Sequence, residues 1–70
     1  MSNKRDRFKR LAEQRTNAVL HKIKVLGNCA NRSAYEYTED EITKIFSTID
    51  KMVKETKSKF HFPARKHFKL

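Results

Sequence analysis

The sequence predicts an all-α protein: a two-helix antiparallel hairpin with a ten-residue connection and a basic C-terminal tail, dimerising into a four-helix bundle. Three observations lead there. Only one glycine and one proline occur in 70 residues. Gly27 and Pro63 both stand where an element would end, so strand-and-turn architectures lack their punctuation. A period-3.6 apolar pattern runs from a helix-start signature at Thr38. Finally, a chain this short makes one small domain that buries little surface alone, so self-association is expected. The hairpin domain is assigned to residues 1–62 and the tail to residues 63–70.

The first helix is expected over about residues 4–26. Asn3 is its candidate N-cap, Asp6 follows three residues on, and Gly27 is placed as the residue that ends it in a left-handed conformation. Phe8, Ala12, Val19, Ile23 and Leu26 form one apolar stripe. Leu11, Ala18 and Val25 form a second at heptad spacing, with Arg15 and Lys22 projecting between the two. A face so wide exceeds what one partner helix needs. Either the two cations lay their aliphatic stems on apolar surface and carry their charges to water, or Leu11, Ala18 and Val25 pack on a second copy of the chain.

The connection holds Asn28, Asn31 and Ser33, residue types that form local turns through side-chain to backbone bonds, and a short helical turn is expected around Cys29–Ala34. Tyr35 and Tyr37 alternate about Glu36. In an extended segment both rings would lie on one side and cover the open end of the hairpin; the rival is an exposed contact patch for a protein partner or for stacked bases. Asn31-Arg32-Ser33 also matches a glycosylation acceptor, a match read as coincidence.

The second helix is expected over about residues 39–61. Thr38-Glu39-Asp40-Glu41 is a capping box, and its acids suit the positive end of the helix dipole. Ile42, Ile45, Phe46, Ile49, Met52, Val53 and Phe60 then recur at helical spacing, with Thr56 filling the gap. Pro63 and its effect on Phe62 should stop the element near Phe60 to Phe62.

Three pieces of this stretch, Arg15-Thr16-Asn17, Leu26-Gly27-Asn28 and Tyr35-Glu36-Tyr37-Thr38, carry a resemblance. Over about Arg7 to Phe60 the chain resembles a group of small, mostly uncharacterised helical proteins encoded in phages and conjugative elements of Gram-positive bacteria. The resemblance implies a context, an accessory protein of a mobile element, where nucleic-acid partners and inhibitors of host defence are both common. It assigns no activity to individual residues.

Seventeen Lys and Arg against eight Asp and Glu give a net charge of +9. Such an excess favours anionic partners: nucleic acid, an acidic protein surface or lipid headgroups. The charge is segregated. Residues 1–32 carry nine basic and two acidic side chains, residues 33–50 one basic and five acidic, and residues 51–70 seven basic and one acidic. In an antiparallel hairpin both basic ends meet at one pole, bringing Lys4, Arg5, Arg7, Lys9 and Arg10 beside Lys57, Lys59, Arg65, Lys66 and Lys69. The acidic turn lies about 30 Å away by helical rise. That pole is the candidate nucleic-acid-binding surface, with backbone contact expected in place of base readout because no recognition-helix pattern is visible. In the tail Phe60, Phe62 and Phe68 interleave with cations, a pattern suited to stacking on unpaired bases; the rival is that Phe60 and Phe62 fold back to cover the hairpin's open end while the last residues fray. Phe62 and Phe68 join Tyr35 and Tyr37 as candidate partner contacts. The rival function is a protein-binding module, such as an inhibitor of a host defence nuclease, acting through an apolar helix face or the basic pole. A lipid interface is the least favoured partner.

Enzymatic chemistry finds no pattern. His21, His61 and His67 with Cys29 make no tetrahedral ligand set, so no metal is expected. Cys29 has no orienting group or oxyanion arrangement assignable to it. One glycine cannot build a phosphate loop, and no cofactor is expected. One cysteine also excludes an internal disulfide. With no apolar leader or span visible, a soluble protein in the reducing cytoplasm is the expectation.

Overall fold

A computed structural model of the chain describes residues 3–62. In order these form α1 (Asn3–Gly27), a 3-10 turn (Asn28–Ala30) and α2 (Glu39–Lys57). All regular structure among the described residues is helical, as the punctuation and periodicity require. The chain divides between Glu36 and Tyr37 into two units, each built on one long helix.

The first unit departs from expectation at both ends of its helix. Asn3 is the first helical residue, not the flanking cap; the first backbone N–H groups of a helix lack intrahelical partners in either register, so a one-residue displacement changes little. Gly27 is not left-handed. Its φ of −60° and ψ of −22° are those of a right-handed helix, because the chain there tightens into the 3-10 turn. The next turn is built on Asn31. Its carbonyl accepts from the N–H groups of Ala34 at 3.1 Å and Tyr35 at 2.9 Å, while its Oδ1 accepts from the Ser33 N–H at 3.0 Å. The Asn31-Arg32-Ser33 triplet is thus an Asx turn.

The second unit begins as its sequence requires. Thr38 is extended, with φ −104° and ψ 159°. Its Oγ1 accepts from the Glu41 N–H at 3.2 Å, and its own N–H donates to Glu41 Oε1 at 2.8 Å, closing the capping box. The Thr38 hydroxyl also donates to that carboxylate oxygen, at 3.1 Å. Tyr37 and Ile42 stand immediately before the cap and at the fourth helical position, the two places of a hydrophobic staple, and both are half-buried.

The end of α2 comes sooner than expected. The helix stops at Lys57, not near Phe60 to Phe62. Ser58 is the C-cap residue; its hydroxyl donates to the Glu55 carbonyl at 2.6 Å, and beyond it the N–H groups of Lys59 and Phe60 donate to Thr56 and Lys57 carbonyls at 3.1 Å each. These short-range bonds tighten the last turn and satisfy carbonyls that a continuing helix would have used. Phe60 therefore lies beyond the helix and leaves the α2 stripe. Pro63, expected to end the element, lies outside the described residues.

Described separately, neither helix buries any of its apolar residues. The half-buried positions of α1, Leu11, Ala12 and Leu26, lie on the two stripes read from sequence, and those of α2, Ile42 and Ile49, lie on its single stripe. The other stripe residues of both helices are exposed. α2 is the more sharply amphipathic of the two.

Candidate nucleic-acid interface

Five candidate cations, Lys4, Arg5, Arg7, Lys9 and Arg10, occupy the first turns of α1, and all are exposed. At about 100° per residue they point in several directions around the axis, with no single face among them. This suits a charged end more than a reading face. Lys4 and Arg5 sit in the first turn, where the helix dipole is positive and a cation is disfavoured; Asp6 is the one acid there to offset them. The Arg5 guanidinium carbon stands 6.0 Å from the centroid of the Phe8 ring, a cation–π pair one turn apart. Phe8 remains half exposed, so the pair offers an open planar surface.

The other cationic stretch is positioned differently. Lys57 is the last residue of α2, with Lys54 in the same turn, and both complement the negative end of their helix dipole. Lys59 follows in the hydrogen-bonded turn and is exposed. Arg65, Lys66 and Lys69 lie outside the described residues, as do Phe68 and His67. The structure therefore places seven of the ten cations, five on α1 in the first unit and two at the end of α2 in the second.

The candidate partner contacts separate into two kinds. Phe62 is 87% exposed and Tyr35 54%, open to a partner. Tyr37, read from sequence beside Tyr35, is half-buried and occupies the staple position of α2. An aromatic directly before a capping box, with an apolar residue at the fourth helical position, is the sequence signal for that role. Of the dimer candidates, Leu11 is half-buried, while Ala18 and Val25 are exposed.

A shallow hollow along α1 is lined by Asp6, Lys9, Arg10, Glu13, Gln14 and Asn17. Its lining is the polar side of a single helix with charges of both signs, and it presents no nucleophile with a base beside it. Among the described residues no three His, Cys, Asp or Glu side chains gather to hold a metal ion. Cys29 is exposed in the 3-10 turn. No helix among the described residues is long and apolar enough to cross a membrane. Comparisons with protein-family models, with curated proteins and with solved structures find no match.

Proposed function

We propose that this is a non-enzymatic nucleic-acid-binding accessory protein that contacts the phosphate backbone through a basic pole. In this reading α1 and α2 fold back as an antiparallel hairpin, gathering the cations of the α1 start and the α2 end, and the hairpin dimerises to cover its apolar faces. The observation that carries it is the siting of Lys4 and Arg5 in the first turn of α1. Two cations at the positive end of a helix dipole cost the free helix stability, and a docked phosphate relieves that cost while pairing with both. Cations at the end of α2, by contrast, already complement their dipole. The open Arg5–Phe8 pair adds a stacking surface to the same end of α1.

Gel-shift titration against duplex DNA, single-stranded DNA and RNA at rising salt tests the proposal. Retention at about 50 mM salt that disappears as salt rises is expected, because binding by counterion release weakens steeply. Absence of retention at low salt overturns it in favour of the protein-binding reading.

A further inference from the structure

Where α2 ends decides what its last aromatic can do. A helix running on past Lys57 would set Phe60 seven residues from Val53, on the same apolar face. α2 stops at Lys57 instead, and Phe60 follows in non-helical backbone with His61 and Phe62. All three are exposed, Phe60 by 60% and Phe62 by 87%, so Phe62 keeps nearly all of its surface. The charge around these rings is of one sign. Lys54, Lys57 and Lys59 are exposed beside them. Glu55 is the last acid in the sequence, and residues 56–70 hold five cations.

Flat rings among cations, with no acid between them, fit a ligand that offers phosphate charge and bare base faces together. A duplex offers the charge but shows only base edges, in its grooves. An anionic lipid surface offers charge and apolar depth, yet Phe60 and Phe62 are the only apolar side chains among residues 54–62. The backbone that carries them is not helical, and immersing its polar groups in lipid is costly.

We infer that the end of α2, from Lys57 to Phe62, binds unpaired nucleic acid, DNA or RNA alike: Phe60 and Phe62 stack on bases while Lys57 and Lys59 pair with neighbouring phosphates. This rests on the nucleic-acid reading above and names the kind of strand that the cations of the α2 end serve. Stacking uses a face that every base has, and the lysines take phosphate. Neither contact reaches the 2′-hydroxyl by which RNA is told from DNA. All of these residues belong to the second unit, and the contact draws on no residue of α1.

Fluorescence anisotropy with oligothymidylate, oligouridylate and a duplex of equal length tests the inference, starting at about 50 mM salt. The chain is expected to prefer both single strands, by a ratio that widens as salt rises, because single strands have the shallower salt slope. Phe60→Leu with Phe62→Leu keeps apolar bulk and removes the flat face. It should weaken single-strand binding about ten-fold and leave duplex binding within about two-fold. Phe60→Tyr with Phe62→Tyr keeps the face and should keep the binding. The sequence has no tryptophan, so Phe62→Trp supplies an isolated reporter whose emission the single strands should quench. The inference is overturned if the leucine variant binds single strands as the unsubstituted chain does, or loses duplex and single strand equally. A loss of thermal stability by circular dichroism alongside that equal loss would mean that the rings cover the chain's own apolar surface. Binding to anionic phospholipid vesicles that single strands fail to displace overturns it too. A duplex bound as tightly as the single strands overturns it and leaves the phosphate-binding reading standing, whereas no binding to any of the three removes both.

Discussion

At Gly27 a glycine occupies a position that requires none. Its backbone is right-handed helical, no residue among those described has a positive φ, and a Cβ built there would meet nothing within 4 Å. Gly27→Ala should therefore stabilise the α1 end by about 0.5–1 kcal/mol, through reduced freedom of the unfolded chain. Thermal unfolding followed by circular dichroism would show it, and a loss of stability would mean that this residue adopts another conformation in solution. Thr38 is the opposite case. Its hydroxyl and backbone both belong to the capping box, so Thr38→Ala should cost about 1 kcal/mol and shorten α2 from its start, measurable as lower helicity. The role of Thr38 is legible from its neighbours because a capping box is a local motif of side chain and backbone. Gly27 misleads because glycine marks a helix end only where the backbone turns left-handed, and here it stays right-handed and runs on into the 3-10 turn.

At the scale of elements, the two helices differ in how they treat their own dipoles. α2 begins with Glu39, Asp40 and Glu41 and ends with Lys54 and Lys57, each charge at the end that favours it. α1 begins with Lys4 and Arg5 beside a single acid. Replacing Lys4 with Glu should make α1 more stable, by about 0.3–1 kcal/mol at low ionic strength, while weakening nucleic-acid retention. Opposite signs for stability and binding at one residue would separate a functional cation from a structural one, and a parallel loss of both would argue that Lys4 supports the fold. The start of α2 and the stripes of both helices are legible because capping and periodicity are properties of neighbouring residues. The end of α2 is not, since Pro63 draws attention downstream while the helix gives way at Lys57 to the short-range backbone bonds of Lys59 and Phe60. Such a backbone change leaves no composition signal comparable to proline.

At the scale of the whole molecule, what matters is how charge is distributed over the sequence, because a net charge of +9 by itself would bind any polyanion weakly. The span 33–50 holds one cation against five acids, whereas 51–70 holds seven cations against one acid. A protein that merely coats nucleic acid through its net charge would respond alike to removal of any lysine. One that docks through a pole would not. Lys44 lies on α2 near its acidic start, and Lys57 and Lys59 lie at and beyond its end. Neutralising Lys57 and Lys59 to Gln should make the slope of log affinity against log salt shallower, by about 0.9 for each phosphate no longer neutralised on duplex DNA, or about 0.7 on single strands. Neutralising Lys44 should leave that slope unchanged, although it removes a positive charge just as either of the other substitutions does. Binding measured by fluorescence anisotropy across a salt series gives the slope for each variant. Equal changes at Lys44 and Lys57 would return the interaction to a diffuse attraction, in which segregation of charge along the chain has no part.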